Sequence, residues 1–147
     1  MAGRTKKAGV VAVEGLDELR RELKKIDDAG LTDDLKDANK KVADLVVVRA
    51  QQNASTRMER RAASSLRSAR QAARAQVMGG SAKVPFFGGA EFGSLRFTQF
   101  RPWTGSNSQS GYFLYPAIRE STADIVDMYG DEIMKISAKA FPDQGVI

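Results

Sequence analysis

The sequence predicts an α+β fold in which a small antiparallel sheet packs with one long helix and a C-terminal helix. Three observations carry this expectation. Leu35, Ala38, Val42, Leu45 and Val46 recur at helical spacing. Pro116 opens a stretch in which Ile118, Ile125, Tyr129, Ile133, Ile136 and Ala140 share one helical face. Between these stretches, short β-forming runs lie among glycines and aromatics, from Pro85 to Ser94 and from Tyr112 to Ile118.

Taken in order, residues 1–9 carry Arg4, Lys6 and Lys7 among small residues and read as a flexible basic arm. Residues 10–141 read as a single domain, and residues 142–147 as a short C-terminal tail. Val10 to Val13 is a strand candidate. Leu16, Leu19, Leu23 and Ile26 then mark an amphipathic helix, with Gly30 as its stop. Thr32 is placed to cap the long helix, which runs to about Ala54. From Arg57 to Arg74, arginine and alanine are both strong helix formers, so this segment reads as helical or as becoming so on binding. Strands are expected at Ala75 to Met78, Lys83 to Phe87 and Leu95 to Phe100. Thr104 to Gly111 is a polar loop, too poor in apolar residues to pack, and reads as mobile or ordered only by a neighbour. Phe141-Pro142 ends the closing helix, and Gly130 inside it costs about 1 kcal/mol, which calls for close packing or a bend.

Composition removes whole classes of chemistry. The 147 residues include no cysteine and no histidine, so Ser-His-Asp triads, Cys-His pairs, His-based zinc sites and disulfides are impossible. What is left to an enzyme is carboxylate, lysine, tyrosine or magnesium chemistry, which needs converging groups. The reading is therefore of a protein with no catalytic role and no cofactor. No apolar run approaches the ~20 residues of a membrane span, so neither export nor membrane insertion is expected. A formal charge of +5 suits an anionic partner, and it equally suits plain solubility.

Each motif has a plain structural reading beside a functional one. Gly88, Gly93 and Ser94 have the spacing of a phosphate loop, but the lysine is missing, so the glycines read as turn makers. Asp27, Asp28, Asp33, Asp34 and Asp37 lie near one helix end and the start of the next, where Asp33 and Asp34 meet the positive dipole end, and capping suits them better than a metal ion. Phe86, Phe87, Phe92, Phe97, Phe100, Trp103, Tyr112, Phe113 and Tyr115 suit core and interface packing better than base stacking. Arg57, Arg60, Arg61, Arg67, Arg70 and Arg74 stand against Glu59 alone. As a helix they share a broad cationic face, open to nucleic-acid backbone, to an acidic neighbouring subunit, or to solvent.

The order of these elements resembles that of the siphophage neck or tail-completion proteins of the gene-ten type, named after a lambdoid coliphage. That family opens with a strand and a Gly-Leu-x-x-Leu helix, here Val13-Glu14-Gly15-Leu16-Asp17-Glu18-Leu19. A Glu-aromatic-Gly-Ser/Thr turn follows later, here Glu91-Phe92-Gly93-Ser94, and then an aromatic-Leu-x-Pro-Ala element, here Phe113-Leu114-Tyr115-Pro116-Ala117. The likeness spans roughly Val10 to Phe141. It departs from the family where Asn53 to Arg57 stands in place of an Ala-Pro-x-x-Thr-Gly element.

The resemblance implies a tail-completion or tail-terminator-like fold in a virion protein of the head–tail junction, made in the host cytoplasm. Such a protein forms a homo-oligomeric ring, expected to be a hexamer, between a head connector or stopper protein and a tail terminator or tail tube protein. DNA passes through its centre with transient, non-specific contact, and no membrane is involved. The six arginines are then expected at subunit interfaces or the DNA lumen. Trp103, Ser106, Asn107, Ser108 and Gln109 form the expected inter-ring docking loop. A tail terminator capping the tail tube, and a sequence-independent nucleic-acid-binding module using Arg57 to Arg74, are the alternatives.

Overall fold

The computed structural model describes residues 10–11, 16–26 and 29–141. The expected arm and tail, Ala12 and Val13 of the expected first strand, and Asp27-Asp28 lie outside the described residues. The chain runs β1 (Val10–Val11), α1 (Leu16–Ile26), α2 (Ala29–Asn53), α3 (Arg57–Ala63), β2 (Arg67–Ser68), β3 (Ala75–Met78), α4 (Phe87–Phe92), α5 (Leu114–Glu120) and α6 (Thr122–Ala140). The architecture is mixed α+β and dominated by helices. Its small antiparallel sheet has the order β1-β3-β2, with Val10 opposite Gln76 and Arg67 opposite Met78.

Helix α2 is the spine because its apolar stripe is continuous. Leu31, Leu35, Ala38, Val42, Val46 and Ala50 are all buried, and α5, α6, β2 and β3 pack around them. Alanines at the contacts, among them Ala43, Ala62, Ala63 and Ala117, let backbones approach closely, while Phe113, Leu114, Leu66 and Val77 fill the centre.

One buried polar link ties three elements together. The Asn39 side-chain amide donates to the carbonyls of Gln71 (2.8 Å) and Ala72 (3.1 Å), and its oxygen accepts from the Tyr129 hydroxyl of α6 at 2.7 Å. Burial pushes the Tyr129 hydroxyl up from 10 to about 12. The folded state therefore holds that proton more tightly, so this part of the stability is full below pH 10 and is lost as pH rises through 12. Tyr129→Phe should cost about 1–2 kcal/mol at neutral pH, since the Asn39 oxygen loses its donor. Its urea midpoint should also lack the alkaline decline of the parent.

Several elements differ from expectation, each for a physical reason. Gly30 does not stop α1, and Thr32 does not cap α2: both lie within α2, whose start is drawn forward by the burial of Leu31 and Leu35. The arginine-rich segment is not one helix. Thr56 and Glu59 form a reciprocal capping box that starts α3. The Ser64 and Ser65 hydroxyls then turn back onto the carbonyls of Arg61 and Ala62, both at 2.6 Å, and end it.

Ala75 to Met78 is a strand as expected, but Lys83 to Phe87 gives only a bridge between Ser81 and Val84 before α4 begins. Gly88 and Gly89 accordingly lie inside that short helix instead of making turns. Leu95 to Phe100 forms turns because the Ser94 hydroxyl accepts from the backbone N–H groups of Arg96 and Phe97, both at 3.0 Å. The closing helix is split at Ser121, which ends α5 and starts α6. Pro116 still falls in a first turn, where its missing N–H is harmless. The polar loop is ordered by its own chain: Thr104 donates to the Phe92 carbonyl, Gly111 to the Thr104 hydroxyl, and Arg119 to the Ser110 carbonyl. Gly130 is exposed, and among the described residues a Cβ placed there would meet nothing within 4 Å.

Candidate functional site

The residues singled out in the sequence fall on two surfaces, one built on α3 and one on the excursion between α4 and α5. The arginines divide by what they touch. Arg60 donates to the Ser55 carbonyl, and Arg67 donates to the carbonyls of Ser65 (3.1 Å) and Gly80 (3.0 Å). Arg70 pairs with Asp37 at 2.7 Å and lies 3.7 Å from Asp33. Arg70 is thus ion-paired within the chain, whereas Arg60 and Arg67 are exposed and donate only to neutral carbonyls. Asp33 and Asp37 are correspondingly ion-pair partners as well as acids in the N-terminal part of α2. Arg74 is half-buried, and its Nε has no hydrogen-bond partner.

Arg57 and Arg61 behave differently. They lie one turn apart on α3, both exposed, and neither meets a carboxylate among the described residues. With Met58 and Phe86 they line a groove of about 370 Å³, and the Arg61 guanidinium sits 5.3 Å from the Phe86 ring centre. The result is an apolar floor under two unpaired cations.

The second surface is a loop on a rigid base. Ser94 donates its N–H to the Arg101 carbonyl (2.9 Å), Thr104 to the Phe92 carbonyl (2.8 Å), and the Tyr112 hydroxyl to the Pro102 carbonyl (2.7 Å). Arg101 stacks on Tyr112 at 4.0 Å and binds the buried Glu59 at 3.0 Å. Burial alone pushes the Glu59 carboxyl up. The N–H bonds from Ser55 and Thr56 and the Arg101 guanidinium outweigh that and hold it below the ordinary carboxylate value. From this base Leu95 projects 89 % exposed, Phe97 50 % and Trp103 45 %. Ser106, Asn107, Ser108 and Gln109, expected with Trp103 in a docking loop, are exposed on the same excursion. Leu95 and Phe97 were missed as surface residues, because alternation over Leu95 to Phe100 mimics a strand and only the Ser94 hydroxyl reveals a turn.

Glu91 holds the two halves of the excursion together. Fully buried, it accepts from the backbone N–H groups of Phe113 (3.3 Å), Leu114 (2.8 Å) and Tyr115 (2.9 Å). The next residue, Pro116, has no N–H, so the free donors at the start of α5 are all accounted for by one side chain. Burial pushes the Glu91 carboxyl up, and the Glu59 charge acts the same way, against those N–H bonds.

No family model, curated protein or solved structure matches this chain. Among the described residues no group of three or more His, Cys, Asp or Glu is placed to hold a metal ion, and no helix is long and apolar enough to cross a membrane. The surfaces that the geometry does provide are suited to docking: exposed aromatic and aliphatic side chains on a braced loop, and a cationic groove on the flank of α3.

Proposed function

We propose that this protein is a structural subunit of a bacteriophage head–tail junction, of the neck or tail-completion type. It joins the head connector or stopper protein to the tail terminator or tail tube as a homo-oligomeric ring with DNA passing through its centre. Its place is the virion, after assembly in the host cytoplasm. The observation that supports this most is the role of Glu91. The Glu91-Phe92-Gly93-Ser94 and Phe113-Leu114-Tyr115-Pro116-Ala117 elements, on which the family resemblance rests, are joined through the buried Glu91 carboxylate into one unit. That unit braces the loop carrying Leu95, Phe97 and Trp103, whose exposed apolar area calls for an unlike protein partner above or below.

The alternative of a nucleic-acid-binding module has less support because the segment is not one helix, so its arginines do not share a single face, and Arg70 pairs with Asp37. Contact with DNA then falls to few cations and stays weak, which suits passage through a conduit. The test is location. Cryo-electron microscopy and gold labelling of particles from the encoding phage should place the product at the collar between head and tail. Particles lacking it there overturn the reading, and placement at the top of the tail tube alone selects the tail terminator.

A further inference from the structure

The outer face of α6 carries two acids without a partner among the described residues. Among the described residues from 29 to 141, every carboxylate has a cation or hydrogen-bond donor except Asp127 and Asp131. These two lie one helical turn apart. Gly130, between them, is costly in a helix interior and serves no packing within the chain, since a Cβ there would meet nothing within 4 Å. Val126 (64 % exposed) and Met134 (51 % exposed) flank the acids on the same side. An apolar, acidic face with a flat centre is left without a partner.

The groove on α3 is its counterpart. Arg57 and Arg61 have the same one-turn spacing, about 6 Å along a helix, as Asp127 and Asp131. Met58 and Phe86 offer an apolar floor where Val126 or the adaptable Met134 can seat. The missing side chain at Gly130 lets a second helix come close between the paired charges.

The geometry points to a head-to-tail contact in which α6 of one copy docks into the α3 groove of the next. This inference rests on the self-assembling reading above and names its contact residues. The two patches differ, so the contact is heterologous: repeated, it closes into a ring when the rotation permits. It assigns Arg57 and Arg61 to a neighbouring subunit and not to the DNA lumen.

Charge exchange tests it. In sedimentation velocity on the full chain, wild type should self-associate over a concentration series reaching about 1 mM. Asp127→Arg with Asp131→Arg, and separately Arg57→Asp with Arg61→Asp, should each weaken association at least about tenfold. An equimolar mixture of the two variants, and the variant carrying all four changes, should regain it. All four side chains are exposed, so each variant should melt with the parent. A second readout uses the absence of cysteine from the chain: Arg61→Cys mixed with Asp131→Cys should form a disulfide-linked dimer on mild oxidation, and neither alone should.

Wild type that stays monomeric throughout, or association indifferent to the exchanges, overturns the inference. So does loss of DNA retention in Arg57→Asp/Arg61→Asp with association unchanged, which makes the groove a polyanion site. A product found at the phage collar whose association ignores these exchanges ends this inference alone. Association through these faces by a product missing from particles ends the neck reading alone.

Discussion

Glu91→Ala lowers the stability of the fold by about 4 kcal/mol, the expected cost of stripping a buried hydrogen-bonded charge from its donors. The side chain is fully buried, and its carboxylate is the acceptor for the Phe113, Leu114 and Tyr115 N–H groups. Alanine leaves those donors without a partner and opens a void beside Phe113, which is itself fully buried. No solvent reaches the site to compensate. Denaturant unfolding followed by circular dichroism reads the loss directly, and a variant within about 0.5 kcal/mol of wild type would show that water or rearranged backbone replaces the cap.

Gly93→Ala should cost about 3 kcal/mol and act first on the docking loop. Gly93 has φ 79° and ψ −173°, a region open to glycine and almost nothing else. A Cβ would also overlap the carbonyls of Arg101 and Pro102, where the two legs of the loop cross. Relief of that overlap must separate Ser94 from Arg101 and Thr104 from Phe92, the bonds that brace Leu95, Phe97 and Trp103. Hydrogen exchange should therefore speed up at the Ser94 and Thr104 amides, together with a fall in melting temperature. Unchanged protection at both amides would mean that the loop is held from elsewhere.

Long elements were legible because their burial repeats. The stripe from Leu35 to Val46 marks α2, and the one from Ile125 to Ile136 marks α6, whatever surrounds them. The strand at Ala75 to Met78 was legible for the same reason, since Ala75 and Val77 face inward and alternate with half-buried neighbours. Elements that depend on one hydroxyl were not legible. Ser64 and Ser65 end α3 and Ser94 turns the loop through hydroxyl bonds to backbone groups two or three residues away, which leave no periodic trace, and Ser121, whose hydroxyl accepts from Arg49 of α2, splits the closing helix.

The arginines mark the same boundary within the candidate site. Their number and lack of neighbouring acids are visible in the chain, and so is the need for distant or external partners. Which of them are free is not visible, because the groups that satisfy Arg70 lie 33 and 37 positions away in α2.

Sequence alone determined the α+β class, the spine and closing helices, and the exclusion of histidine- and cysteine-based chemistry, because periodicity and composition are local and additive. Tertiary structure decided that Glu91 caps α5, that Leu95, Phe97 and Trp103 face outward, and that Arg57, Arg61, Asp127 and Asp131 are left unmatched. Those are properties of pairs of groups, and a pair has no energy until folding sets its distance and removes its water.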